Sequence, residues 1–186
     1  MHAKRIRIIN RLLVIYFLVV LNAICSIPIA GAAELISSHF SVDIPQGWRR
    51  VNTGKYLMVT KDNPFLQYVL IQRRPVDRQF KNTKKKIKKG MLPHEAAGII
   101  IDEIAADQRV QDFKVTENTP AIICRHEGFK LLFSYKDRKG SIFQTMYYGF
   151  IDGDAFYNLR YNAAKQHYLE KDIKIFERIL YSFKLL

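Results

Sequence analysis

Cysteine is nearly absent: Cys25 and Cys124 are the two cysteines in 186 residues. If the front of the chain is removed on export, Cys124 is left alone, no intramolecular disulfide can form, and the core must hold by packing. Acidic side chains are scarce as well, 17 Asp and Glu against 30 Lys and Arg, for a formal net charge of +13. A balance of that sign argues for anionic surroundings or partners, such as an anionic membrane surface, a cell-envelope polymer or an acidic protein face, and says nothing about fold. The sequence has no internal repeat and no complete metal or cofactor motif, so neither a cofactor nor a metal is expected. His94-Glu95 begins a His-Glu-x-x-His pattern, in which two imidazoles one turn apart share a zinc ion, but Gly98 stands where the second histidine belongs.

One long apolar run is present, at the front. Lys4, Arg5, Arg7 and Arg11 precede an almost unbroken apolar stretch at 12–24, and Ala30-Gly31-Ala32-Ala33 follows Pro28. That order reads as a secretory signal over residues 1–33, cut after Ala32 or Ala33. A single domain at 34–186 then remains, periplasmic or secreted, with a net charge lowered from +13 to +9 by the loss of four basic side chains. Two alternatives stay open: an uncleaved anchor, which needs roughly 20 apolar residues, and a form lipidated at Cys25, although Ile24 stands where a small side chain is preferred.

Along the exported domain, Phe40-Ser41-Val42-Asp43-Ile44 alternates like a strand and Pro45-Gln46-Gly47-Trp48 ends it. Residues 55–60 and 66–72 are strand candidates separated by an Asn63-Pro64 turn. The pattern then fades into Arg73, Arg74, Arg78, Lys81, Lys84, Lys85, Lys86, Lys88 and Lys89, opposed by Asp77, which reads as an exposed basic loop. Pro93, Glu95 and the stripe Ala97, Ile100, Ile101, Ile104 predict a helix over 93–107. Strands are expected at 113–116, 121–126, 129–135, 142–150 and 155–162, the last with Asn158, Arg160 and Asn162 on a wet face. Leu169, Ile173, Phe176, Leu180 and Phe183 recur at steps of three and four and predict a closing amphipathic helix. Strands in consecutive groups with hairpin-length breaks point to an α+β domain, an antiparallel sheet of about six to eight strands flanked by two main helices.

Three stretches carry a resemblance: Phe40-Ser41-Val42-Asp43-Ile44-Pro45-Gln46-Gly47-Trp48, Phe156-Tyr157-Asn158-Leu159-Arg160-Tyr161, and Phe176-Glu177-Arg178-Ile179-Leu180-Tyr181-Ser182-Phe183. They resemble the PsbP-like family, which includes extrinsic subunits of photosystem II and small bacterial exported relatives. The resemblance implies an antiparallel sheet flanked by helices and a role as a binding or accessory subunit without catalysis. It carries over no metal ligand, and the lysine run has no counterpart in the family pattern.

The nine basic residues from Arg73 to Lys89 are the candidate site for an anionic partner; the expected export removes the nucleus from consideration and argues against nucleic acid. The alternative is a hydrolase or thiol-dependent enzyme using Cys124 and His126, which would share one face of a strand and could pair as thiolate and imidazole. Against it, a lone cysteine after Ile122-Ile123 is more commonly a small buried hydrophobe. Asp152-Gly153-Asp154 offers two carboxylates to a cation, but a tight turn explains all three residues. Tyr147, Tyr148, Tyr157, Tyr161, Tyr168 and Tyr181 suit either a stacking surface or the half-buried faces of strands, and sheet packing is the expectation.

Overall fold

The computed structural model describes residues 33–51, 53, 56–165 and 169–186. The expected export segment, apart from Ala33, therefore lies outside the described residues. The first strands are β1 (Ala33–Ile36), β2 (Phe40–Ile44), β3 (Arg49–Val51), β4 (Leu57–Thr60) and β5 (Gln67–Pro75). Helix α1 (Pro93–Ala105) separates them from a meander of β6 (Gln111–Ile123), β7 (His126–Lys136), β8 (Ile142–Asp152) and β9 (Ala155–Ala164). Helix α2 (Leu169–Ser182) and the short β10 (Lys184–Leu185) close the chain.

Seven strands form one antiparallel sheet in the order β3-β4-β5-β9-β8-β7-β6, and β1-β2-β10 form a small one. The α+β expectation holds, and the main sheet's strand count falls within the expected range. In the seven-stranded sheet pairing is between sequence neighbours except at the centre, where β5 meets β9 from Gln67 opposite Ala163 to Pro75 opposite Ala155. To leave β5 in mid-sheet and reach β6 at the edge, residues 76–110 must pass over β9, β8 and β7. That crossing lays both the basic segment and α1 on one face, while α2 and the small sheet cover the other.

The sheet consequently has two cores. On one face Val69, Ile71, Met146, Leu159 and Tyr161 pack with Phe176 and Ile179 of α2 and with Phe40, Val42 and Trp48. On the other, Phe129, Leu131, Phe133, Tyr147 and Phe156 pack with Ala96, Ala97 and Ile100 of α1 and with Ile87. The expected wet face of β9 is therefore not wet: Asn158 and Asn162 are buried and Arg160 is half-buried. Hydrogen bonds make that tolerable, because the Asn162 Oδ1 accepts from Tyr135 Oη (3.1 Å) and Thr145 Oγ1 (2.7 Å).

Local chemistry sets the ends of α1. Pro93 occupies the first turn, and the Glu95 carboxylate accepts the Leu92 backbone N–H at 3.0 Å, satisfying a donor the helix cannot. The two strands expected at 113–116 and 121–126 are one strand, β6, with register shifts between Gln111 and Lys114 and between Val115 and Glu117. Its Pro120 sits on the sheet edge, where the missing N–H is not needed.

Candidate functional site

The basic residues do not form a free loop. Arg73 and Arg74 belong to β5 and point to opposite faces, as a pleat requires. Beyond Pro75 the chain makes a closed excursion: Asp77 N donates to Ile87 O (2.7 Å) and Phe80 N to Lys85 O (2.9 Å). Ile87, alone among the lysines, is 2% exposed and fills the second core. Lys86 and Lys88, on either side of it, are exposed.

Glu103 on α1 fastens the tip. Its carboxylate accepts from the backbone N–H of Asn82 (3.0 Å) and Thr83 (2.9 Å) and from the Thr83 hydroxyl (3.0 Å), while Asn82 Nδ2 donates to the Glu103 carbonyl. Arg74 holds the start of the excursion, donating from Nη2 to the carbonyls of Arg78 (2.9 Å) and Gln79 (2.6 Å), with its guanidinium 4.1 Å from the Phe80 ring centroid. Burial first, then the charge of Arg78, pulls the Arg74 pKa down from its ordinary value.

Some of the positive charge is already answered. Lys85 pairs with Asp102 at 2.5 Å and Lys89 with Asp154 at 3.0 Å, whereas Lys84 keeps its charge and donates from Nζ to the neutral Lys81 carbonyl at 2.8 Å. Arg78, Lys81, Lys86 and Lys88 are exposed and have no ion pair among the described residues. The surface thus presents four cations with no bonded partner, and Lys84 beside them held on a carbonyl, on a support pinned to α1 and the sheet.

The thiol and imidazole pair does not form. Ile123 of β6 pairs with His126 of β7, so Cys124 and Arg125 are the two residues of the connecting turn, with φ of 49° and 67°. Cys124 is half-buried against the first core. Both nitrogens of His126 face other groups: Nδ1 lies 2.8 Å from the Cys124 carbonyl and Nε2 3.4 Å from Asp152 Oδ1. At the next turn the two carboxylates part company, Asp152 toward His126 and Asp154 toward Lys89. Among the described residues no three His, Cys, Asp or Glu side chains gather as metal ligands. Tyr147, Tyr157 and Tyr161 are buried in the sheet cores, Tyr148 is half-buried, Tyr181 is 87% exposed, and Tyr168 lies outside the described residues.

Two concavities that the sequence did not announce flank the start of α1. One, of about 430 Å³, is lined by Met91, Leu92, Phe129, Gly149 and Ile151, and the other, of about 410 Å³, by Pro120, Ile122 and Glu127. At the wall of the first, Gly149 lets the Phe129 ring lie close against β8, since a Cβ there would fall 2.5 Å from Phe129 Cζ. A glycine inside a strand is the one sequence signal of such a close approach. No helix among the described residues is long and apolar enough to cross a membrane.

No protein-family model matches the sequence, and no curated protein does. Solved structures do. The solution structure of cyanobacterial PsbP (CyanoP) from Synechocystis sp. PCC 6803 superposes with a TM-score of 0.59 at 9% identity, over 87% of this chain and 96% of that one. LpqN of Mycobacterium tuberculosis, a protein involved in cell envelope biogenesis, gives 0.53 at 12% identity over 83% and 84%. A mutant of the protein Mog1 gives 0.54 at 8% identity over 83% and 94%. At such identities the likeness is one of architecture, and on that likeness the chain has the PsbP-like fold.

Proposed function

We propose that this chain is an exported, non-enzymatic binding or accessory protein whose basic segment contacts an anionic partner. The observation that carries the reading is the quartet Arg78, Lys81, Lys86 and Lys88, exposed and unpaired on a segment fixed by Ile87, Glu103 and Arg74. A fixed set of cations meets a polyanion without first ordering a loop, so less of the attraction is lost to conformational entropy. The PsbP-like fold supports a binding role, and LpqN supports a place in the cell envelope. The charged front of the chain and its apolar run support export.

The test is retention on anionic vesicles and on heparin at low salt. Replacing Arg78, Lys81, Lys86 and Lys88 by Gln should abolish retention and leave thermal stability nearly unchanged. Replacing Lys85 and Lys89, which are already paired, should weaken retention far less. Binding of the wild type should fade as salt shortens the Debye length to about 8 Å at physiological ionic strength. A wild-type protein that ignores both surfaces, or a quadruple variant that binds them equally well, overturns the reading.

A further inference from the structure

The polar side chains of β9 lie in the centre of the sheet, on the face the crossover passes over. Arg160 sits directly between Leu70 of β5 and Tyr147 of β8, with Asn158 and Asn162 above and below it on the same face. Its diagonal neighbours by register are Tyr68, Gln72, Thr145 and Gly149. No carboxylate occurs among them, and Arg160 makes no ion pair or hydrogen bond with any described residue. Its Nε is buried and unpartnered. A half-buried guanidinium in the middle strand of a sheet, with no anion beside it, departs from the usual pairing of charges at such depth.

Asn158 turns its amide N–H groups to Gln72, whereas two other neighbours of Arg160 can donate. Asn162 has its carbonyl oxygen occupied twice, by Tyr135 and Thr145, which leaves the amide N–H groups as its available side. The Tyr147 hydroxyl has no hydrogen bond to a described residue, and burial raises its pKa, so the phenol keeps its proton at neutral pH. The charges of Arg160 and Arg74 both act on that hydroxyl, which places it within the field of each. Donors without an acceptor are the complement of an oxyanion, and a guanidinium fork suits carboxylate and phosphate best.

We propose that Arg160, with Tyr147 and Asn162, forms a binding site for one small oxyanion group, a carboxylate or a phosphate, on the inner face of the sheet. The site is separate from the exposed quartet. It is built into the sheet, is half-buried, and selects by the geometry of a single group, whereas the quartet acts through summed charge. It does not rest on the polyanion reading.

The experiment follows the backbone amides of the protein by NMR during titration with inorganic phosphate, sodium acetate and sodium chloride at one fixed ionic strength. Saturable shifts confined to Leu70, Tyr147, Arg160 and their neighbours are expected with phosphate or acetate and not with chloride, and the salt that produces them names the chemistry. Arg160→Gln should abolish the saturation. Arg160→Lys, which keeps the charge and the stem but loses the fork, should weaken binding about tenfold. Tyr147→Phe should weaken it with the arginine intact, so the proposal remains testable even if Arg160→Gln does not fold. The quartet variant should bind as the wild type does. An equal, unsaturated response to all three salts overturns the proposal, as does saturable binding that survives both Arg160→Lys and Tyr147→Phe unchanged.

Discussion

Replacing Ile87 by Ala tests whether the lysine run belongs to the fold. Ile87 is 2% exposed and contacts a core built from α1, β7, β8 and β9, so the substitution removes three carbons from a packed site. At about 0.8 kcal/mol for each carbon the transfer loss is roughly 2.4 kcal/mol, and the cavity left behind brings the total to about 3 kcal/mol. For a domain of this size each kcal/mol corresponds to roughly 2–4 °C in melting temperature, so the variant should melt about 6–12 °C below the wild type. Differential scanning calorimetry reads the shift, and the quartet variant, with its four exposed side chains, is the control that should not move. Amide hydrogen exchange adds a local reading, because the bonds from Asp77 to Ile87 and from Phe80 to Lys85 should lose protection in the alanine variant. A melting temperature within about 2 °C of wild type would mean that the segment is a solvated loop after all and that its cations are not held in place.

Arg125 adopts φ of 67° in a two-residue turn, a conformation that costs a side-chain-bearing residue about 1–2 kcal/mol, so Arg125→Gly should raise the melting temperature by a few degrees in calorimetry, and a decrease would mean the arginine makes a compensating contact. Asp107 accepts hydrogen bonds from Arg109 (3.0 Å and 2.6 Å), and that bond first, against burial, holds its carboxyl at about 2. Because the folded pKa lies below the ordinary value, the stability Asp107 contributes is present above about pH 4 and is lost as the pH falls toward 2. Asp107→Asn should therefore melt below the wild type at neutral pH, with the gap closing in that window, and a gap that does not change with pH would rule out the ion pair as its source.

Alternation along strands was legible, because a pleated chain writes its two faces into the sequence. Phe129, Leu131, Phe133 and Tyr135 stand at every second position of the strand expected at 129–135 and lie on one face of β7 for that reason. What covers each face was not legible, since that depends on where the crossover travels. Asn158 and Asn162 therefore read as wet although both are buried: Asn162 accepts from Tyr135 and Thr145, and Asn158 donates to Gln72, all on other strands. The same limit hid Ile87, one apolar residue in a run whose charge dominates any local average. Cys124 and His126 were misplaced because nothing in Ile123-Cys124-Arg125-His126 announces a turn, the usual Asn-Gly or Asp-Gly being absent. The basic residues themselves were found by composition alone, while the division into paired and open cations required Asp102 and Asp154, which lie on α1 and the β8–β9 turn.

The seam between β5 and β9 also governs the order of assembly. Strands β6 to β9 meet neighbours they have just left, so that meander forms from short-range contacts, whereas Gln67 must wait for Ala163. Until β9 is made, β5 carries an open row of backbone donors and acceptors along the side that becomes the middle of the sheet, and such a row invites pairing with another chain. Loop-closure entropy further delays the union of the two halves. On the proposed export, a chain that crossed a membrane unfolded would gain from that delay, because the sheet could not close until nearly all of it had been delivered.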